Sequence, residues 1–238
     1  MPELSIILDR LTGQMLAEAP ARAPVGALEQ LAELSGPMRG VECAAPLAML
    51  TPPLAPAEET SASVCVRVSG YYHNSLIEGP GRRSSAKLQG CPLRCSGCLT
   101  PDSWDPRGGA MVPVGRLAEA LLDPAYERDG VSIHGGEPFA QPEGLLALVT
   151  ALRERGCAHI LVYSGYTYER LRRVALRRPA IGAVLEEIDV LIDGPFIAAL
   201  ADGAGPWTGS ANQRVIDLAA TRRRSRLVLT TTARWSCP

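Results

Sequence analysis

The chain has 238 residues, 46% of them hydrophobic and only 5% aromatic, with a formal net charge of −1. That length can bury a substantial core in one large domain, or in a domain plus an appendage, and the near-neutral total gives neither nucleic acid nor a membrane surface an electrostatic reason to bind. The charge is unevenly spread, with eight acidic against three basic side chains in residues 1 to 60 and 17 against 21 in residues 61 to 238, which sets two parts of the chain apart.

The opening stretch MPELSIILDRLTGQ has acidic residues on both sides of a short apolar run and lacks the basic and apolar regions of a signal peptide. No later window approaches the roughly 18 uninterrupted apolar residues of a membrane span, so the expectation is a cytoplasmic protein. LSIILD reads as a strand, RLTGQMLAEA as a turn and second strand, VGALEQLAELSG as an amphipathic helix with a glycine stop, and GVECAA as a third strand. These form a small α+β extension, either a docking module or extra strands on a larger sheet. APLAMLTPPLAPAEETSAS then breaks every period with proline and small residues, as a linker does, and places a domain boundary near residue 60.

Beyond it the pattern alternates. SVCVRVS and SSAKLQ read as strands, VGRLAEALLD as a helix, GVSIHGGEP as a strand ending in glycines, and PEGLLALVTALRERG as a helix with a glycine cap. AHILVYSG is a strand, TYERLRRVALRR a helix, IDVLIDGPF a strand, with further strands expected at RVIDL and RLVLTTT. Strands separated by helices imply right-handed βαβ crossovers and a parallel sheet over residues 61 to 238. In such sheets the chemistry gathers at the carboxyl ends of the strands. The most distinctive polar and glycine-rich motifs fall at those points.

The first is GCPLRCSGC, with Cys91, Cys95 and Cys98 in a C-x3-C-x2-C pattern after AKLQ. Seven cysteines in a chain of this kind do not look like a secreted disulfide framework, and clustered thiols in a reducing compartment more often bind metal. Three readings compete. A disulfide between near neighbours would leave one thiol over and add little loop-closure entropy. A structural zinc site needs a fourth ligand, with Cys157 or His134 as candidates. A [4Fe–4S] cluster held by three thiolates leaves one iron with open coordination sites for a substrate. The remaining cysteines, Cys43, Cys65, Cys157 and Cys237, are isolated and read as small packed hydrophobes or a free terminal thiol.

The motifs HNSLIEGPGRR, LQGCPLRCSGCLTPDSW, HGGEPFAQPEGLLAL, VYSGYTYERL, IDVLIDGPF and WTGSANQRVIDL, in that order over about residues 65 to 220, resemble the radical S-adenosylmethionine superfamily. More narrowly they resemble the activating proteins of anaerobic ribonucleotide reductase and related glycyl-radical enzymes. The resemblance implies an open partial (βα)6-type barrel. It further implies that Cys91, Cys95 and Cys98 hold a [4Fe–4S] cluster whose open iron chelates S-adenosyl-L-methionine, and that a 5′-deoxyadenosyl radical is formed by reductive cleavage. By the same resemblance Gly135, Gly136, Glu137 and Pro138 contact the methionine amino end, and Ser164 and Gly165 the ribose or carboxylate. The implied partners are a glycyl-radical enzyme or another protein or peptide substrate, and a reductant such as flavodoxin or ferredoxin. Gly97 suits the reductase branch, whereas Leu99 departs from the ring that often follows the third cysteine, and residues 1 to 60 lie outside the usual pattern.

The residues themselves also admit plainer readings. GGEP is a glycine turn with a solvated glutamate, Thr167 a helix N-cap, and Asp193 either a turn aspartate or a cavity group. Asn212 and Gln213 either satisfy their own turn or contact a ligand or partner. Arg82 and Arg83 are turn residues first and anion contacts second. TRRRSRL is a solvated basic face, and His134 a packing histidine. Two rival functions accompany the activase: radical modification of a peptide or small metabolite, with the N-terminal unit as recognition module, and a non-catalytic metal-binding interaction protein.

Overall fold

A computed structural model describes residues 64 to 230 in full and, before them, only the backbone of two short strands. Two compact units divide the chain, Met1–Leu50 and Thr51–Pro238. In the first, β1 (Ser5–Leu8) pairs antiparallel with β2 (Met15–Glu18), Ser5 opposite Glu18. The expected N-terminal helix, third strand and linker lie outside the described residues.

The second unit is a mixed α/β layer built on a seven-stranded open sheet. Its strands are β3 (Cys65–Ser75), β4 (Arg83–Leu88), β5 (Ala110–Pro113), β6 (Gly130–Gly135), β7 (Ile160–Ser164), β8 (Val190–Asp193) and β9 (Arg214–Asp217), in the spatial order β5-β3-β4-β6-β7-β8-β9. The expectation of a parallel sheet needs correction at both sides. β4, β6, β7 and β8 are parallel neighbours, but β3 runs antiparallel to β4, β5 antiparallel to β3, and β9 antiparallel to β8. The physical reason lies in the connections. Seven residues join β3 to β4 and cannot cross a sheet face, whereas each parallel step is spanned by helix. RLVLTTT yields no continuous strand within the described residues: Leu229 makes one isolated bridge to Ile216.

Among the described residues the α-helices are α1 (Val114–Leu121), α2 (Pro142–Glu154), α3 (Tyr168–Ala175), α4 (Pro179–Glu187) and α5 (Leu218–Arg224). Proline occupies the first turn of α2 and α4, where its missing N–H costs nothing. Thr167 accepts from Arg170 N–H and caps α3, and Asp217 accepts from Ala220 N–H and caps α5. No helix among the described residues is long and apolar enough to cross a membrane.

Alternation along the strands gives the sheet two unlike faces. Val66, Val68, Ala86, Leu88, Val131, Ile133, Ile160, Val162, Leu191 and Ile216 share one buried core with the helices. The opposite face is largely polar toward β3. One row across it reads Tyr72, Ser85, Ser132, Leu161, Val190, by register. The loop 76 to 82 folds over this face, where Ser132 Oγ donates to the Glu78 carbonyl and Arg83, 1% exposed, donates to Ser132 Oγ at 2.6 Å. The segments after β4, β6, β7 and β8 all leave from one edge of the four parallel strands.

Candidate active site

Four turns meet at that edge: Gln89 to Trp104 after β4, Gly136 to Pro138 after β6, Ser164 to Thr167 after β7 and Gly194 to Phe196 after β8. The cysteine loop is tied at its base by backbone bonds. Gly90 N–H donates to Ser103 O at 2.8 Å and Cys91 N–H to Trp104 O at 3.1 Å. Beneath it Gln89, 3% exposed, donates from Nε2 to Asp105 O and Asp102 O, and Gln141 donates to Gln89 O at 3.0 Å while accepting from Arg67 N–H at 2.7 Å. Ser103, fully buried, donates to Thr100 O. Within the loop Cys98 N–H closes a turn onto Cys95 O, Thr100 N–H donates to Cys98 Sγ at 3.4 Å, and positive φ at Arg94 (47°) and Gly97 (74°) curls the chain. Cys91, Cys95 and Cys98 are free and half-buried. Burial pushes the Cys91 thiol up, and the nearby Glu137 and Cys95 add to this.

The glycines of GGEP press against the start of this loop. Gly136 N–H donates to Leu88 O at 2.8 Å and Glu137 N–H to Gly90 O at 2.9 Å. A Cβ on Gly136 would lie 2.5 Å from Gly90 O and 2.8 Å from Gly90 C, and Gly135 has φ +104°. Backbone is the obstacle, so it cannot swing away. A Gly136→Ala variant should therefore lose about 1–3 kcal/mol of stability to overpacking and hold less iron after reconstitution, because the segment that must move adjoins Cys91. Denaturant unfolding and iron analysis check the two parts.

Residues 77 to 216 match the family described as a 4Fe-4S single cluster domain. The anaerobic ribonucleoside-triphosphate reductase-activating protein of Haemophilus influenzae is 35% identical over 149 residues, covering 60% of this chain and 92% of that protein. Its counterpart in Escherichia coli K12 is 31% identical over 152 residues, 61% of this chain and 94% of that protein. The chain belongs to the radical S-adenosylmethionine superfamily. The pyruvate formate-lyase-activating enzyme of Clostridium pasteurianum is also similar, 31% identical over 127 residues, 52% of this chain and 53% of that enzyme.

The donor set fits the group this superfamily carries. Among the described residues no three His, Cys, Asp or Glu side chains converge as they would around one ion. A cubane asks for something different, since each thiolate binds its own iron and the ligands stand apart by the size of the cluster. The two residues that could complete a zinc tetrad are engaged elsewhere. His134 Nε2 lies 3.0 Å from the Tyr72 hydroxyl, whose proton goes to Glu78 Oε1, and Cys157 donates to His159 O ahead of β7, at the far end of that strand. Burial lowers His134 to about 4, which keeps it neutral.

In this radical S-adenosylmethionine enzyme the acidic residues singled out by sequence are inward brackets. Glu137 is fully buried. Its Oε1 accepts from Phe139 N–H and Ser164 Oγ–H, both at 3.0 Å, and its Oε2 accepts from Gly165 N–H at 2.8 Å. Asp193, also fully buried, accepts from Tyr168 N–H at 2.6 Å and from both Nε and Nη2 of Arg214, whose Nη1 and Nη2 in turn hold Glu169. Gln213 accepts from Gly209 N–H within its own turn and donates across to Gly194 O after β8. Asn212 donates to Pro195 O at 2.7 Å, and its buried Oδ1 has no partner among the described residues. The structure thus brings Cys91, Gly136, Glu137, Ser164 and Gly165 into one assembly and puts Asp193, Asn212 and Gln213 at its β8 side. Sequence reading missed Gln89, Gln141, Ser103, Thr100 and Arg214. Gln89, Gln141 and Arg214 find partners 13 to 74 positions away, which leaves no local signal, and Ser103 and Thr100 are small polar residues of an ordinary turn pattern.

Burial pushes the Glu137 carboxyl up to about 7, against the hydrogen bonds from Phe139, Gly165 and Ser164 that pull it down. A folded-state value above the unfolded 4.5 means the folded protein holds the proton longer. The associated stability is complete below pH 4.5, is lost as pH rises to 7 and stays flat above, a span of up to about 3 kcal/mol at about 1.36 kcal/mol per unit. Denaturant unfolding of the protein from pH 5 to pH 8 should show this fall, and Glu137→Gln should remove most of the slope.

Proposed function

We propose that this chain binds a [4Fe–4S] cluster through Cys91, Cys95 and Cys98, cleaves S-adenosyl-L-methionine reductively, and installs a glycyl radical on a partner enzyme such as anaerobic ribonucleotide reductase. The observation that carries the reading is the three-thiol loop, seated against the glycines of GGEP on one edge of the parallel strands. Held there by Cys91, Cys95 and Cys98, a [4Fe–4S] cluster would supply a low-potential electron for reductive cleavage of the sulfonium. The chain's own residues do the rest. The loop base at Gln89, Ser103 and Gln141 holds the thiols in place, and Thr100 N–H donates to Cys98 Sγ, the kind of hydrogen bond that tunes a cluster's potential. Gly135, Gly136, Glu137 and Pro138 with Ser164 and Gly165 shape the cofactor's seat. Asn212 Oδ1, buried and without a partner among the described residues, is an acceptor that a ligand or partner group could use. The polar face of the sheet, with Tyr72, Lys87, His134 and Tyr163, suits the interior of an open (βα)6-type barrel in which the radical is shielded from water.

The division into residues 1–60 and 61–238, the cytoplasmic location and a flavodoxin- or ferredoxin-type reductant belong to the same reading. The similarity of the relatives over residues matched by the 4Fe-4S family supports the glycyl-radical partner. The test is anaerobic reconstitution with iron and sulfide, reduction, and addition of S-adenosylmethionine. Release of 5′-deoxyadenosine is expected, increased by the partner enzyme. A purified protein that holds a single zinc ion and leaves the sulfonium intact would overturn the proposal.

A further inference from the structure

The turn Ser164–Gly165–Tyr166–Thr167 is held at both ends by carboxylates with no exposed surface. At its start, Glu137 takes the Gly165 N–H at 2.8 Å and the Ser164 hydroxyl at 3.0 Å, and Ser164 Oγ in turn accepts from Tyr166 N–H at 3.0 Å. At its end, Asp193 takes the Tyr168 N–H at 2.6 Å, and Gly194 N–H donates to Tyr166 O at 3.3 Å. Gly165 also lies against Leu93, between the first two cysteines of the loop, where a side chain at 165 would collide with the leucine. Where this turn sits therefore decides how the β7 edge meets the cysteine loop.

The Glu137 carboxylate is turned inward and already engaged by three donors. Both oxygens accept from neighbouring residues, and the side chain has no exposed surface. We propose that Glu137 is a positioning residue, which sets the cofactor's seat through the Ser164 hydroxyl and the Gly165 N–H and makes no contact of its own with the ammonium group of S-adenosylmethionine. This rests on the radical S-adenosylmethionine reading and deepens it. The ammonium is left to other groups around the seat. Glutamine cannot replace the carboxylate, because its NH2 must face an N–H or O–H donor, so one bond becomes a donor–donor clash.

The experiment uses the full reconstituted protein and its Glu137→Gln and Ser164→Ala variants, the latter removing only one hydroxyl. Binding of S-adenosylmethionine and of its deaminated analogue is measured anaerobically, and amide exchange over residues 164–168 is followed by mass spectrometry. The expected result is a loss of about tenfold in affinity, equal for the two ligands in each variant, with faster exchange over 164–168 and unchanged iron content. A loss confined to S-adenosylmethionine and absent with the analogue would show that Glu137 touches the ammonium and would overturn the proposal, as would native exchange rates in both variants. Failure of the native protein to bind S-adenosylmethionine at all would instead sink the functional reading, while the exchange result would still report on the bracket.

Discussion

In a Cys95→Ser variant the iron–sulfur absorbance and the release of 5′-deoxyadenosine should both disappear, while the protein remains folded. Each thiolate of a cubane binds a separate iron, and three is already one fewer than the usual set. Serine at 95 leaves two, and its hydroxyl is a poor ligand at neutral pH, so the cluster loses a second corner. The fold has no comparable stake in that thiol. Cys95 is half-buried in a loop whose base is fixed by Gln89, Ser103 and Gln141, and Cys98 N–H bonds to the backbone oxygen of residue 95, not to its side chain. Unfolding in denaturant should therefore shift by less than about 1 kcal/mol, within the range of surface substitutions. Cys157→Ser is the control with the opposite pattern. That thiol is buried beside His159 O at the far end of β7, so the variant should lose some stability yet keep iron and activity. Iron loss in the second variant, or retention in the first, would place the cluster elsewhere.

What the sequence made legible was local. The βα alternation from residue 84 to residue 193 appears because hydrophobic period and capping residues act within a turn or two of chain, and Thr167 is found as the cap that it is. The cysteine spacing and the glycines of GGEP are equally local. The antiparallel flanks were not, because nothing inside AMVP says that Pro113 will pair with Cys65, 48 positions earlier. Helix α4 was missed for another reason. Pro179 and Gly182 weaken the local helical signal, although Ile181, Val184, Leu185 and Ile188, all buried, keep a helical period through them. For the site, the acidic residues were found, and so were Ser164 and Gly165, but the pairings that join them were not, and Arg214 was missed. Glu137 meets Gly165 across 28 residues and Asp193 meets Arg214 across 21, and such pairings exist only once the strand order is known.

Removing that arginine should have the largest effect on stability of any single change outside the core. Asp193 has no exposed surface, and Arg214 grips it from both Nε and Nη2 while reaching Glu169 at the start of α3. An Arg214→Ala variant leaves the carboxylate buried with only the Tyr168 N–H to answer it, and stranding one member of a buried pair typically costs about 3–5 kcal/mol. Arg214 itself is 29% exposed on its side chain, which argues for the lower end, since water can reach the vacated space. The exposed Glu169 partner contributes little. Removing both charges should be kinder than removing one: the Asp193→Asn, Arg214→Met double variant loses the pair without stranding a charge, and its stability should recover by about 1 kcal/mol or more relative to Arg214→Ala. Denaturant unfolding of the cluster-free protein measures both. If the single variant unfolds with a midpoint like that of the native chain, the carboxylate at the end of β8 is reached by water, and the far end of the 164–168 turn is held by something other than this pair.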